Sequence, residues 1–159
     1  MDFKLINVGI ADIKISESPN VLRTILGSCI GICIYDKTTK IGGMAHIMLP
    51  RLRNSKTNHL KYADTAIPVL ITEMLDKGAK KEKLVAKIIG GATMFDVSVN
   101  SIMGEIGKNN VEMVKTVLKE NNIKIIAEDI GGDHGRTIDF HLKNGNVKIK
   151  SLSDKEKII

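Results

Sequence analysis

Residues 24–50 read TILGSCIGICIYDKTTKIGGMAHIMLP, and this stretch decides the fold class. Residues 30–35 and 41–49 are rich in β-branched and other apolar side chains, a composition that suits a pleated, packed surface. The polar segment 36–40 between them reads as a hairpin connection, so the two runs are expected to pair antiparallel. That pairing would carry His46, in the second run, back towards Cys29, which heads the first behind a Gly27-Ser28 turn. A thiol and an imidazole on neighbouring strands are the minimal parts of a cysteine-nucleophile hydrolase.

Upstream, residues 4–15 read as one or two short strands, 16–20 as a cluster of turn formers, and 21–26 as a further strand. Downstream, 50–60 (PRLRNSKTNHL) is a basic, polar loop, and loops of this length inside compact domains are often functional. The clearest helix follows. Ala63, Ala66, Ile67, Leu70, Ile71, Met74 and Leu75 recur at helical spacing, with Gly78 placed to end it and Pro68 close enough to its start to be tolerated. Residues 84–89 are predicted to form a strand leading into Gly90-Gly91-Ala92, and 94–104 reads as irregular. A second helix is expected over 106–120, with Val111, Val114, Val117 and Leu118 on one face. A strand over 123–130 ends in Gly131-Gly132; strands over 136–142 and 147–152 flank Lys143-Asn144-Gly145-Asn146, a hairpin signal. Residues 153–159 are expected to be a flexible tail or a short charged helix. Strands outnumber helices and hairpins dominate. The expectation is one α+β domain over 1–159, with mixed, mostly antiparallel β-layers flanked by two main helices.

A chain of 159 residues is long enough to bury one sizeable core. Aromatics make up only 3% and Trp is absent, so Ile, Val, Leu, Met and Ala must fill it. The net charge of +6 raises encounter rates with acidic partners. Nucleic acid is disfavoured as that partner: few aromatics exist to stack bases, and neither a zinc-finger spacing nor a helix-turn-helix signature is present. A Glu-rich protein surface suits the charge equally well. Cys29 and Cys33 lie four residues apart on one predicted strand, roughly 13 Å at ~3.3 Å per residue, too far for an intramolecular disulfide. The N-terminal stretch lacks the uninterrupted apolar core of a signal peptide, and no apolar run approaches the ~18 residues of a membrane span. A reducing, cytoplasmic location without membrane insertion is expected.

A cysteine nucleophile needs a lowered pKa or an adjacent base, because the thiolate is the reactive form. His46 would supply the base and return the proton to the leaving group, while a third group fixes the imidazole tautomer. The small Gly27-Ser28 turn leaves room for substrate and exposes backbone N–H groups for an oxyanion. Packing accounts for the same residues: Cys29 as a small buried hydrophobe, His46 as a satisfied core histidine. Cys33 shares a face with Cys29, and its neighbours Ile32 and Ile34 assign it to the interior. A metal held by Cys29, Cys33 and His46 is the sharper rival, although C-x-x-x-C on a strand lacks the tight turn of ordinary zinc pairs. His59, His134 and His141 read as surface residues, and the Gly90-Gly91 and Gly131-Gly132 pairs as turns that let backbone approach the site; neither pair fits a P-loop or dinucleotide fingerprint.

Taken together, LGSCIGICIYD, GGMAHIMLP, KYADTAIPVLITEM, AKIIGGATMF, IGKNNVEMVKTVL and AEDIGGDHGRTIDFHLKNG resemble the CheD family of chemoreceptor glutamine deamidases, over roughly residues 5–150. The resemblance implies Cys29 as nucleophile, His46 as base and Thr24 as third member, its hydroxyl or its carbonyl holding the imidazole. It implies the architecture of the cytotoxic necrotizing factor-like cysteine hydrolases. It also implies hydrolysis of glutamine side-chain amides, and of glutamyl methyl esters, through a Cys29 thioester, with no metal or organic cofactor. The implied partners are the cytoplasmic helices of methyl-accepting chemoreceptors and a CheC-type phosphatase. Arg51, Arg53 and Lys56 are candidate charges for steering an acidic receptor surface.

Overall fold

The computed structural model describes residues 2–93, 105–152 and 155–159. Among these residues, ten strands form two five-stranded sheets. In the first the order is β1 (Leu5–Asn7), β3 (Val21–Leu26), β8 (Arg136–His141), β9 (Val147–Lys150) and β10 (Lys157–Ile158). In the second it is β2 (Asp12–Glu17), β5 (Ile41–Ile47), β4 (Ile30–Asp36), β6 (Leu84–Gly90) and β7 (Lys124–Ile130). Among these strands β1·β3 and β6·β7 pair parallel, and the other ladders are antiparallel. The α+β class with mixed, mostly antiparallel layers is what the sequence led one to expect.

Every residue of β4 and β5 is buried, because this hairpin is covered on both faces. Ile30, Ile32, Ile34, Ala45 and Ile47 pack towards α1 (Ala63–Asp76) and α2 (Ile106–Glu120), which supply Ala66, Ile67, Leu70, Met74, Val114 and Leu118. The opposite face, carrying Cys33, Tyr35 and Met44, meets Leu22, Leu26, Ile138 and Phe140 of the first sheet. Gly42 and Gly43 let both layers close on β5. A Cβ at Gly43 would lie 2.7 Å from a Leu70 methyl, and one at Gly42 3.2 Å from the Phe140 ring.

Both expected helices form, and the two expected hairpins close in register. The C-terminal stretch departs from expectation. Lys157–Ile158 is a strand, and Val147 and Ile159 exchange backbone hydrogen bonds of 3.0 and 2.9 Å. The pairing covers the outer edge of β9, whose N–H and C=O groups would otherwise stand open. Residues 94–104, expected to be irregular, lie outside the described residues. No helix among the described residues is long and apolar enough to cross a membrane.

Candidate active site

The hairpin register places the two residues that the sequence singled out. Ile30 pairs with Ile47 and Gly31 with His46, so Cys29 leaves β4 two residues from the histidine's partner. Alternation puts 29, 31 and 33 on one face of β4, and Cys29 packs against the inter-sheet cluster that includes Met44, the neighbour of His46 on the same face of β5. Cys29 is half-buried, while His46 is only 2% exposed.

Thr24 reaches this pair from the other sheet. Its hydroxyl lies 2.7 Å from His46 Nδ1 and 2.7 Å from the Val8 carbonyl oxygen. A hydroxyl has one proton, and a carbonyl can only accept. Thr24 therefore donates to Val8 and accepts from His46, which assigns the ring proton to Nδ1. It is the hydroxyl of Thr24, not its carbonyl, that meets the ring. Nε2 is then the basic nitrogen, and it is buried without a hydrogen-bond partner among the described residues. Burial lowers the imidazole pKa to about 4 and raises that of the Cys29 thiol. At neutral pH the pair rests as thiol and neutral imidazole, with an unprotonated nitrogen able to take a proton.

The turn that carries Cys29 is tied down from outside. Gly27 O accepts from Ala92 N (3.1 Å), and Cys29 O from Gly91 N (3.0 Å). Between them, Ser28 O accepts from Asn110 Nδ2 (3.2 Å), which also donates to Met48 O (2.9 Å). Gly90 and Gly91 have φ of +115° and +71°, and a Cβ at Gly90 would overlap the Cys29 carbonyl oxygen. Glycine at these positions is what allows the end of β6 to lie against the turn. Arg136 braces the next layer: its Nη2 donates to Gly131 O (2.8 Å), and Gly131 N donates to Gly90 O (2.9 Å).

Asn110 and Arg136 were not singled out by the sequence. Asn110 sits four residues before Val114 on the buried stripe of α2 (Gly107, Asn110, Val114, Val117, Leu118). An amide on an otherwise apolar stripe is the signal that would have found it. Arg136 carries no comparable signal, since a basic residue opening a strand ordinarily faces solvent.

The other candidates lie apart in character. Cys33 is fully buried and burial pushes its thiol far up, although Lys87 pulls the other way. His59 contacts the Ser55 carbonyl within its own loop, and His134 pairs with Asp133 at 2.7 Å on a surface turn. The basic loop starts and ends beside the histidine strand, through Met48 N to Lys61 O and a Leu49–Tyr62 bridge, with Arg51, Arg53 and Lys56 exposed. Among the described residues, no group of three or more His, Cys, Asp or Glu side chains is placed to hold a metal ion.

A family model described as CheD chemotactic sensory transduction matches residues 48–151. The chain belongs to the CheD family. It is 46% identical over the full length of both chains to a probable chemoreceptor glutamine deamidase CheD of Caldanaerobacter subterraneus subsp. tengcongensis. It is 51% identical to the CheD protein of the same description from Clostridium botulinum (strain Eklund 17B / Type B), over 91% of each chain. A CheD relative from Methanococcus vannielii, again a probable chemoreceptor glutamine deamidase, is 44% identical over 97% of this chain and 99% of its own. The CheD model's span opens just after His46, whereas the Caldanaerobacter relative aligns across Thr24, Cys29 and His46 as well.

Proposed function

We propose that the chain is a chemoreceptor glutamine deamidase with Cys29 as nucleophile, His46 as general base and acid, and Thr24 as the group that orients His46. The observation that carries it is the buried His46 Nε2, without a hydrogen-bond partner among the described residues, whose basic state follows from the Thr24 and Val8 hydrogen bonds. Membership of the CheD family supports the substrate class.

Nε2 takes the Cys29 proton as the sulfur attacks the side-chain amide carbon of a receptor glutamine. The C–S bond forms and the carbonyl π pair moves to oxygen, giving a tetrahedral oxyanion. On collapse the C–N bond breaks, and the imidazolium delivers its proton to the leaving ammonia. Water, deprotonated by the same Nε2, then adds to the γ-glutamyl thioester; glutamate leaves and the thiol regains its proton. A glutamyl methyl ester can follow the same acyl-enzyme route with methanol as leaving group. Because the resting pair is neutral, the charged thiolate is generated only when substrate is in place. The site is proposed to act in the cytoplasm on receptor helices, with Arg51, Arg53 and Lys56 drawing an acidic segment towards the His46 strand.

The test is incubation with the cytoplasmic domain of a chemoreceptor, followed by mass spectrometry of its peptides. Glutamine-to-glutamate conversion with ammonia release is expected, and none with Cys29→Ala. An inactive wild-type protein that still binds and stimulates a CheC-type phosphatase would replace deamidation with a partner role.

A further inference from the structure

Three successive carbonyls of the Cys29 turn, Gly27, Ser28 and Cys29, are each held by a donor from another element. Two of the donors are backbone N–H groups of the β6 extension, but the middle one is a side chain, Asn110. In a planar trans peptide the C=O and the following N–H point in opposite directions. Holding the Ser28 carbonyl against α2 therefore turns the Cys29 N–H to the other side of the peptide. That N–H belongs to the nucleophile's own residue, and it is turned away from α2 and Asn110.

We infer that Asn110 is a positioning residue for the oxyanion, holding the Ser28–Cys29 peptide so that the Cys29 N–H faces the developing negative oxygen. The inference rests on Cys29 being the nucleophile. Asn110 is fully buried, and its amide is oriented by two carbonyl acceptors, Ser28 O and Met48 O. Its own Oδ1 is buried and has no partner among the described residues. The group thus keeps both donors on the two segments that carry Cys29 and His46, at the expense of its acceptor. Gly107, one turn earlier on α2, permits the approach: a Cβ there would lie 2.5 Å from Gly91 O and 2.8 Å from Ala92 O.

The test separates steps that need an oxyanion from those that do not. In Asn110→Ala and Asn110→Ser, kcat for deamidation should fall by about 10²–10³, the loss expected for one oxyanion donor. KM should stay within about twofold, as for an interaction made only in the transition state. Alkylation of Cys29 by iodoacetamide forms no oxyanion and should proceed at the wild-type rate. Equal losses of alkylation and turnover, or an unchanged kcat, would overturn the role of Asn110. Should neither variant melt cooperatively, the wild-type protein decides. A short peptide aldehyde mimicking the glutamine side chain should form a thiohemiacetal and move the Cys29 amide proton further downfield than other backbone amides. An unmoved Cys29 amide overturns the inference. Residual deamidation in a Cys29→Ala control would instead overturn the assignment of the nucleophile on which it rests.

Discussion

At one end of β4 the Asp36 carboxylate is fully buried and accepts backbone hydrogen bonds from Thr38, Thr39 and Lys80. Burial alone would raise its pKa, but the N–H groups of Lys80, Thr39 and Thr38 hold it below the usual carboxylate range. At the other end lie Cys29 and its surroundings. The buried side-chain nitrogen and oxygen atoms that lack a partner among the described residues are His46 Nε2, Asn110 Oδ1 and Arg136 Nη1. His46 pairs with Gly31, Asn110 holds Ser28, and Arg136 pairs with Leu26, so all three belong to the Cys29 end. A buried group left unsatisfied costs about 1–3 kcal/mol. The Asp36 end of the strand is built for stability; the Cys29 end carries unmet hydrogen-bonding capacity that a reaction can use.

The sharpest way to break this contrast is at the cysteines, which share a strand face but not an environment. Cys29→Ala should abolish deamidation with little change in Tm. Cys33→Ala should retain most activity while melting earlier, since it empties space in a closed core. Activity that survives Cys29→Ala but not Cys33→Ala would reverse the contrast.

His46→Ala should lower kcat by about 10²–10⁴, the range for general acid–base catalysis. It should also change how stability depends on pH. The folded imidazole has a pKa near about 4 against an ordinary 6.5, so between these values the unfolded chain binds a proton that the native one refuses. Wild-type stability should therefore fall as pH drops through that window. Melting curves of His46→Ala should be flatter there; parallel curves would show that the ring titrates normally.

Thr24→Val removes the hydroxyl and leaves His46 Nδ1–H and Val8 C=O unpaired. A loss of about 1–3 kcal/mol of ring orientation corresponds to roughly a 5- to 150-fold fall in kcat. Thr24→Ser should recover most of it. If Ser is as impaired as Val, the methyl packing of Thr24 matters and the hydroxyl does not.

Asp36→Asn should have the smallest effect on chemistry: unchanged kcat and KM, with stability lower by about 1–3 kcal/mol. Its depressed pKa contributes stability above the unfolded value of 3.8, which is lost as pH falls through the folded one. Acid melting of the variant should thus be less pH-dependent than wild type below that value. A large kcat change in Asp36→Asn would mean that the two ends of β4 are coupled.

Much of the scaffold is locally encoded. The apolar runs of β3, β4 and β5, the stripes of α1 and α2, and the Asn144-Gly145 turn are patterns of neighbouring residues, and a strand or helix follows from its own side-chain period. The Gly27-Ser28-Cys29 turn and the return of His46 across a short hairpin are legible for the same reason. The rest needed long-range packing. Thr24 meets His46 only because the two sheets stack, and which rows face each other depends on the registers of β3 with β8 and of β4 with β5. The pairing of Lys157–Ile158 with β9 depends on an open edge that no local pattern announces. Asn110 is an amide on an apolar stripe and Arg136 a base opening a strand, and neither residue type names its partner. Residue type states what a side chain can donate or accept. Which buried carbonyl stands opposite is decided only when distant segments close around it.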